Sequence, residues 1–213
     1  MKKRLPFDIL YEDNDIIVIN KPAGLLTTHT KLVGRAARES QFTAENLLND
    51  YVRKGQAKSR KRVYLVHRLD RETSGVMMFA KREEIADWYR GNWNELTEKT
   101  YVAKVEGKLE TDEGRFESYL KDDERTKKVR SVKKGEGGKL AITEWRKTGD
   151  HLEVKILTGR KNQIRVHFAE SGHPIVGDVK YGGKKSDRLY LHAKTLKVRL
   201  PGGDWKTFEV EIK

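Results

Sequence analysis

Cysteine is absent from the 213 residues, which excludes disulfides and thiolate metal sites and fits a reducing compartment without requiring one. No apolar run approaches the length needed to span a bilayer. The chain opens Met1-Lys2-Lys3-Arg4, but the apolar stretch behind it is short and broken by Asp8, which does not fit a secretory signal. A cytoplasmic location is the default expectation. There is no dinucleotide fingerprint, no phosphate-cradling glycine loop and no compact His/Asp cluster. The histidines (His29, His67, His151, His167, His173, His192) are dispersed, so neither a metal nor a redox or nucleotide cofactor is expected. No internal repeat or linker divides the chain, and its length fits one domain, residues 1–213, with a sizeable core.

Positive charge is what the chain has in excess. Forty-five Lys and Arg against 32 Asp and Glu give +13, with a pI near 9.7, and a polyanion such as nucleic acid is the partner this implies. The charge is clustered. Arg53, Lys54, Lys58, Arg60, Lys61 and Arg62 form one run, and Arg125, Lys127, Lys128, Arg130, Lys133, Lys134 and Lys139 a second. Runs of this kind are usually solvated faces. The first leads into the most informative string of the chain, which favours a phosphate-tracking groove there. The polar, Arg-rich stretch Thr30 to Gln41 reads as a mobile insertion or RNA-facing loop.

Apolar alternation or short apolar runs predict strands over Phe7–Tyr11, Ile16–Asn20, Val63–Val66, Val76–Ala80, Tyr101–Val105, Leu140–Trp145, Leu152–Leu157, Leu189–Leu191, Leu196–Leu200 and Phe208–Ile212. Helical spacing is clear in fewer places. Leu47, Leu48, Tyr51 and Val52 make a face after Thr43, an N-cap candidate; Ile85, Trp88, Tyr89, Trp93 and Leu96 make another, with Gly91 as an interruption. A third helix starts after Gly159 and carries Ile164, Arg165, His167 and Phe168. Gly135-Glu136-Gly137-Gly138 marks a loop. Many strands and few helices predict an α+β fold with a mixed, mainly antiparallel sheet.

His67-Arg68-Leu69-Asp70-Arg71-Glu72-Thr73-Ser74-Gly75 joins two of these strands, placing Asp70 on a connecting loop where catalytic groups collect. Flanked by Arg68 and Arg71, its carboxylate should stay ionised at neutral pH and could act as nucleophile or base. On spacing alone it could equally cap a turn or pair with an arginine.

The string is similar to the signature H-R-L-D-x-x-T-S-G of the RluA-type pseudouridine synthases. The likeness extends along the chain. Asn20-Lys21-Pro22-Ala23-Gly24-Leu25 resembles the family's K-P-x-G segment, and Lys99 to Gly107 its K-x-Y-x-A-x-V-x-G strand. Thr158 to His167 resembles T-G-R-x-x-Q-I-R-x-H, and is followed by Gly172 to Asp178, Tyr181-Gly182 and Leu191-His192-Ala193. One position departs: Asn162 stands where members often carry His. Asn keeps a donor and an acceptor but cannot titrate, so it is read as a positioning residue.

The resemblance implies a central sheet in two lobes flanking an RNA-binding cleft. The reaction it implies is isomerisation of uridine to pseudouridine in ribosomal large-subunit or transfer RNA, without cofactor. No S4-type module is expected ahead of the catalytic domain, and a monomer is the family's mild preference. Asp70 is the implied catalytic carboxylate, by attack at C1′, addition to C6 or removal of the C2′ proton. Tyr101, by pattern a core aromatic, is implied to stack on the target base and serve in deprotonation at C5, and Arg165 to pair with the catalytic Asp. Arg68 is implied to fill the place of the extruded base, with His67 supporting the loop and Ile164 as a pocket wall. His67, Arg71, Asn162, Gln163, Arg60, Lys61 and Arg62 complete the expected RNA-binding set. Two other readings compete. A non-catalytic RNA-binding protein has no use for an acid among basic residues, and a metal-dependent nuclease would need several convergent carboxylates, where these blocks carry only Asp70 and Asp178.

Overall fold

The computed structural model describes residues 5–29, 41–54, 56 and 58–212. Of the stretch from Thr30 to Gln41, only Gln41 lies within the described residues. The chain folds into two compact units, one comprising the chain up to Glu98 with Thr195–Glu211, the other Lys99–Lys194.

The first unit is built on β1 (Ile9–Glu12), β2 (Ile16–Lys21), β3 (Tyr64–Leu65) and β4 (Ser74–Ala80), with helices α1 (Ala44–Arg53) and α2 (Glu83–Leu96). Ile16, Ile17, Val18 and Ile19 are all fully buried, as a short β-branched run covered on both faces should be. β2 pairs antiparallel with β1 and β4. The β2–β4 register runs from Ile16 opposite Ala80 to Lys21 opposite Gly75, which delivers Lys21 to the point where the Asp70 loop enters β4. Period-2 alternation sends Ile16, Val18, Val76, Met78 and Ala80 into one core. Ile85, Ala86, Tyr89 and Leu96 of α2 meet them there, with Leu196, Val198 and Phe208.

Thr43 caps α1 as expected, its Oγ1 accepting from the Asn46 amide at 3.1 Å. The buried stripe of α1 is Ala44, Leu48 and Val52, while Tyr51 turns outward to Glu12. α2 runs through Gly91 and kinks at Asn92 (φ −127°, ψ 24°).

Two strands, β5 (Thr97–Ala103) and β10 (Leu191–Arg199), carry the chain between the units, and β11 (Trp205–Glu209) pairs with β10. The second unit adds β6 (Glu113–Asp123), β7 (Lys128–Val132), β8 (Lys139–Thr148) and β9 (His151–Ile156), paired antiparallel in the order β5-β9-β8-β6-β7. Helix α3 (Gln163–Glu170) contributes Phe168 to an aromatic cluster with Phe116 at 5.2 Å and Trp145 at 6.1 Å. A 3-10 turn spans Val179–Tyr181. The α+β class with a mainly antiparallel sheet is as the sequence predicts; an isolated parallel bridge joins Leu26 and Thr43.

Two strands lie where none is expected: β6 and β7 form a hairpin, β7 within the second charged run and β6 just ahead of it. Glu113, Arg115 and Glu117 of β6 are exposed, with Arg115 paired to Glu117 and to Glu144, leaving Gly114, Phe116 and Ser118 as a weak inward pattern. Among the described residues no helix is long and apolar enough to cross a membrane.

Candidate active site

Asp70 stands on the loop between β3 and β4, and the loop is anchored on both sides of it. Upstream, the Met78 amide donates to His67 Nε2 at 3.0 Å, and the imidazole stacks on Trp93 with centroids 4.6 Å apart. Because Nε2 accepts, a neutral His67 carries its proton on Nδ1. Thr27 Oγ1 donates to the Leu69 carbonyl at 2.8 Å. Leu69 is buried, Asp70 half-buried, and Arg68 and Arg71 exposed. Downstream, the Thr73 amide closes a turn on the Asp70 carbonyl at 3.2 Å.

The strongest anchor is Lys21, whose relative exposure is 0%. Its Nζ donates to the carbonyls of Leu25 (2.8 Å), Pro22 (2.9 Å) and Arg71 (3.1 Å), filling all three ammonium donors. The turn Pro22 to Leu25 is tied to the Asp70 loop a second time. The Gly24 amide donates to the Arg71 carbonyl at 2.9 Å, and Arg71 Nε donates back to the Gly24 carbonyl at 3.1 Å. Gly24 has φ +83°, a conformation that disfavours a side chain. Sequence reasoning picked out the Lys21-Pro22-Ala23-Gly24 segment but not the anchoring role of its lysine; the signal was a cation closing a strand that begins with four buried β-branched residues.

Burial pushes the Lys21 ammonium down to about 8, against the opposing pull of the Glu72 and Asp70 carboxylates. Lys99, at the start of the second unit, is likewise lowered to about 8 by burial. Both lose their protons in the folded chain before they do in the unfolded chain, near 10.5. Between these values the unfolded state binds more protons, so stability rises with pH. The gain is at most on the order of 3 kcal/mol per lysine. Burial raises the Tyr89 hydroxyl well above its ordinary 10, so beyond pH 10 the unfolded state ionises first and the slope reverses. Urea unfolding should therefore show maximal stability near pH 10, and Lys21→Met should lose part of the rise above pH 8. A flat or falling profile from pH 8 to 10 would contradict the buried ammoniums.

Arg60, Lys61 and Arg62 lie exposed ahead of β3. Arg53 Nε holds the Lys61 carbonyl at 3.2 Å, and the Arg62 guanidinium sits 5.1 Å from the Tyr64 ring centre.

In the second unit Tyr101 is buried on β5 opposite Val154. The segment Asn162 to Arg165 opens α3. Asn162 is held at φ 52°, a left-handed conformation that Asn tolerates better than most residues. Its Oδ1 accepts from the Tyr181 hydroxyl at 3.0 Å and from Lys180 Nζ at 3.3 Å. Gln163 is buried, and both ends of its amide are engaged. Oε1 accepts from Thr158 Oγ1 (2.7 Å) and the Arg160 amide (3.0 Å), while Nε2 donates to the Ile142 carbonyl (2.9 Å) and Thr143 Oγ1 (3.0 Å). Four bonds saturate this side chain, which pins α3 to β8. His167 continues the same network between Thr143 Oγ1 (2.9 Å) and Ser118 Oγ (3.0 Å), and burial lowers it to about 4. Ile164 is buried.

Arg165 is also buried. Its Nε and Nη2 form a fork with Asp178 Oδ2 and Oδ1, both at 2.7 Å, and its Cζ lies 5.1 Å from the centre of the Tyr181 ring. The sequence did not reveal Asp178 or Tyr181 as partners of Arg165, because nothing in their spacing fixes which cation they meet.

A family model described as RNA pseudouridylate synthase matches residues 15–170. The dual-specificity RNA pseudouridine synthase RluA of Yersinia pestis is 35% identical over 204 residues, covering 91% of this chain and 92% of that protein. The uncharacterized RNA pseudouridine synthase YhcT of Bacillus subtilis is 35% identical over 91% of this chain and 64% of its own length. Ribosomal large subunit pseudouridine synthase D of Borreliella burgdorferi is 33% identical over 98% and 66% respectively. The chain thus spans just under two thirds of the length of these last two relatives. In fold it is similar to human RNA pseudouridylate synthase domain containing 1, with a TM-score of 0.74 at 22% identity, covering 97% of this chain and 83% of that one. The chain belongs to the RNA pseudouridine synthase family, and within it to the RluA type.

Proposed function

We propose that this protein isomerises specific uridines of RNA to pseudouridine, with Asp70 as the reacting carboxylate. The observation that carries this reading is the anchoring of the Asp70 loop. In a member of this family, the acid of the H-R-L-D string is held from His67 to Thr73 by a buried lysine, a threonine and an imidazole. Such preorganisation is what a nucleophile or base needs and what a mere turn cap does not.

The reaction breaks N1–C1′, turns the uracil and forms C5–C1′; the C5 proton leaves and N1 ends protonated, so nothing is oxidised, reduced or hydrolysed. Asp70 supplies the carboxylate. Tyr101 stacks on the base and receives the C5 proton, while Arg165 offers positive charge to the reacting group. Arg68, exposed beside Asp70, fills the stack vacated by the extruded nucleotide; unstacking costs a few kcal/mol that pocket contacts offset. Ile164 is a pocket wall. Gln163 and Asn162 act by fixing α3. The substrate is ribosomal large-subunit or transfer RNA, and the protein works as a monomer in the cytoplasm. Mapping pseudouridines in total RNA with and without the gene, then converting a transcript of the mapped site with purified protein, tests the assignment. Unchanged maps together with an inert protein would overturn it.

Arg60, Lys61, Arg62 and Arg71 track phosphates in this reading. Each neutralised phosphate on a single-stranded segment contributes roughly −0.7 to the slope of log affinity against log salt. Replacing Arg60, Lys61 and Arg62 together by Ala should make the slope shallower by about 1 to 2, measured by filter binding over a salt series. An unchanged slope would remove this run from the interface.

A further inference from the structure

We propose that Asp178 is a positioning residue: its buried carboxylate clamps the Nε–Nη2 edge of Arg165 and so holds the guanidinium in one plane and one place for the reaction. The proposal rests on the assignment of Arg165 to the catalytic group and adds how that side chain is aimed.

The Asp178 side chain has 0% exposure and that of Arg165 9%. Taking both charges out of water is a poor route to stability, since a buried pair roughly breaks even against apolar residues of similar volume. Orientation is what such a pair supplies, and three features serve it here. First, the contact is a two-bond fork at 2.7 Å on each arm, which fixes the plane of the guanidinium as well as its place. Second, the carboxylate is itself immobile. The Asp178 amide donates to the Ile175 carbonyl at 2.9 Å, its carbonyl accepts from the amides of Gly183 (2.9 Å) and Tyr181 (3.0 Å), and Oδ1 accepts from the Tyr181 amide at 3.3 Å. The residue before it, Gly177, has φ +82°, and a Cβ there would lie 1.9 Å from the Arg188 carbonyl oxygen; only glycine fits this approach.

Third, the Tyr181 ring lies against the guanidinium at 5.1 Å. That ring is fixed in turn, its hydroxyl donating to Asn162 Oδ1 and accepting from the Val129 amide, each at 3.0 Å. Asn162 immediately precedes α3, on which Arg165 sits. The helix start, the ring and the carboxylate therefore form one closed support around one arginine.

The test is a mutant cycle on single-turnover pseudouridine formation at saturating enzyme, using Asp178→Asn, Arg165→Met and the double variant. RNA affinity is measured in parallel, at a temperature where near-ultraviolet circular dichroism shows each protein folded. Asp178→Asn should slow the chemical step about 10- to 100-fold, the scale of loss when a reacting group is misplaced, with affinity within about twofold of wild type. In the Arg165→Met background the same change should alter the rate less than about twofold. Asp178→Glu keeps the charge but moves the carboxylate by one methylene; it should retain the fold and still lose rate, which guards against an Asn variant too unstable to assay. A wild-type rate in both Asp178 variants, or an equal loss with and without Arg165, would overturn the orienting role. If Arg165→Met itself turns over like wild type, the assignment of Arg165 fails, a result distinct from a silent Asp178 beside a slow Arg165→Met.

Discussion

Asp70→Asn is expected to abolish pseudouridine formation, with a fall of at least about 10²- to 10⁴-fold in the single-turnover rate, while fold and RNA affinity survive. The amide has nearly the shape of the carboxylate but neither its charge nor its nucleophilicity. The described anchors of the loop, the carbonyls of Leu69, Arg71 and Leu25 and the ring of His67, stay in place in the variant, so the loop should remain folded. Removing an acid from a basic surface should leave RNA affinity equal or slightly tighter. Asp70 is also one of the two carboxylates that support the Lys21 proton, so the variant should begin its alkaline rise in stability at a somewhat lower pH. Turnover near wild type would remove Asp70 from the chemistry, and a large loss of stability would mean it acts as a structural cap.

The sequence made the apolar strands legible and left the charged ones unread. β2 and β4 are runs of Ile, Val, Met and Phe whose burial on both faces needs no knowledge of neighbours. β6 and β7 were missed because their outward positions carry Glu, Arg and Lys and their inward ones include Gly and Ser, so hydrophobic periodicity is faint. β10 reads as two short strands because His192, Lys194 and Thr195 interrupt it, yet His192 is buried and the strand is continuous from Leu191 to Arg199. In the candidate site the same division holds. Asp70 and the opening of α3 were recognisable as strings, and Thr43 as a cap, because those signals are local. Lys21 beneath the loop, and Asp178 and Tyr181 around Arg165, depend on partners about 50 and 13 to 16 residues away. The partners of Gln163 are equally hidden from the sequence: only the fold reveals that Thr158, Arg160, Ile142 and Thr143 engage its amide.

Arg165→Ala should be strongly destabilising, costing about 3–5 kcal/mol. The argument is an asymmetry of burial. With the guanidinium gone, the Asp178 carboxylate stays sealed from water with two 2.7 Å partners removed, and the Tyr181 ring loses the cation packed on it. For a chain of this size that cost lowers the melting temperature on the order of 10 °C. Arg165→Lys retains a positive charge but not the fork, and should fall between wild type and Ala. The decisive variant is the double change Arg165→Met with Asp178→Leu, which removes both charges and keeps the space filled. It should regain most of the lost stability, since the pair as a whole contributes little beyond what apolar contacts give, and yet remain slow in the chemical step. Calorimetry on the four proteins measures the first quantity and single-turnover assays the second. Stability restored together with activity would show that the pair serves the fold alone, whereas stability restored without activity separates the energetic role of the fork from the part Arg165 plays in the reaction.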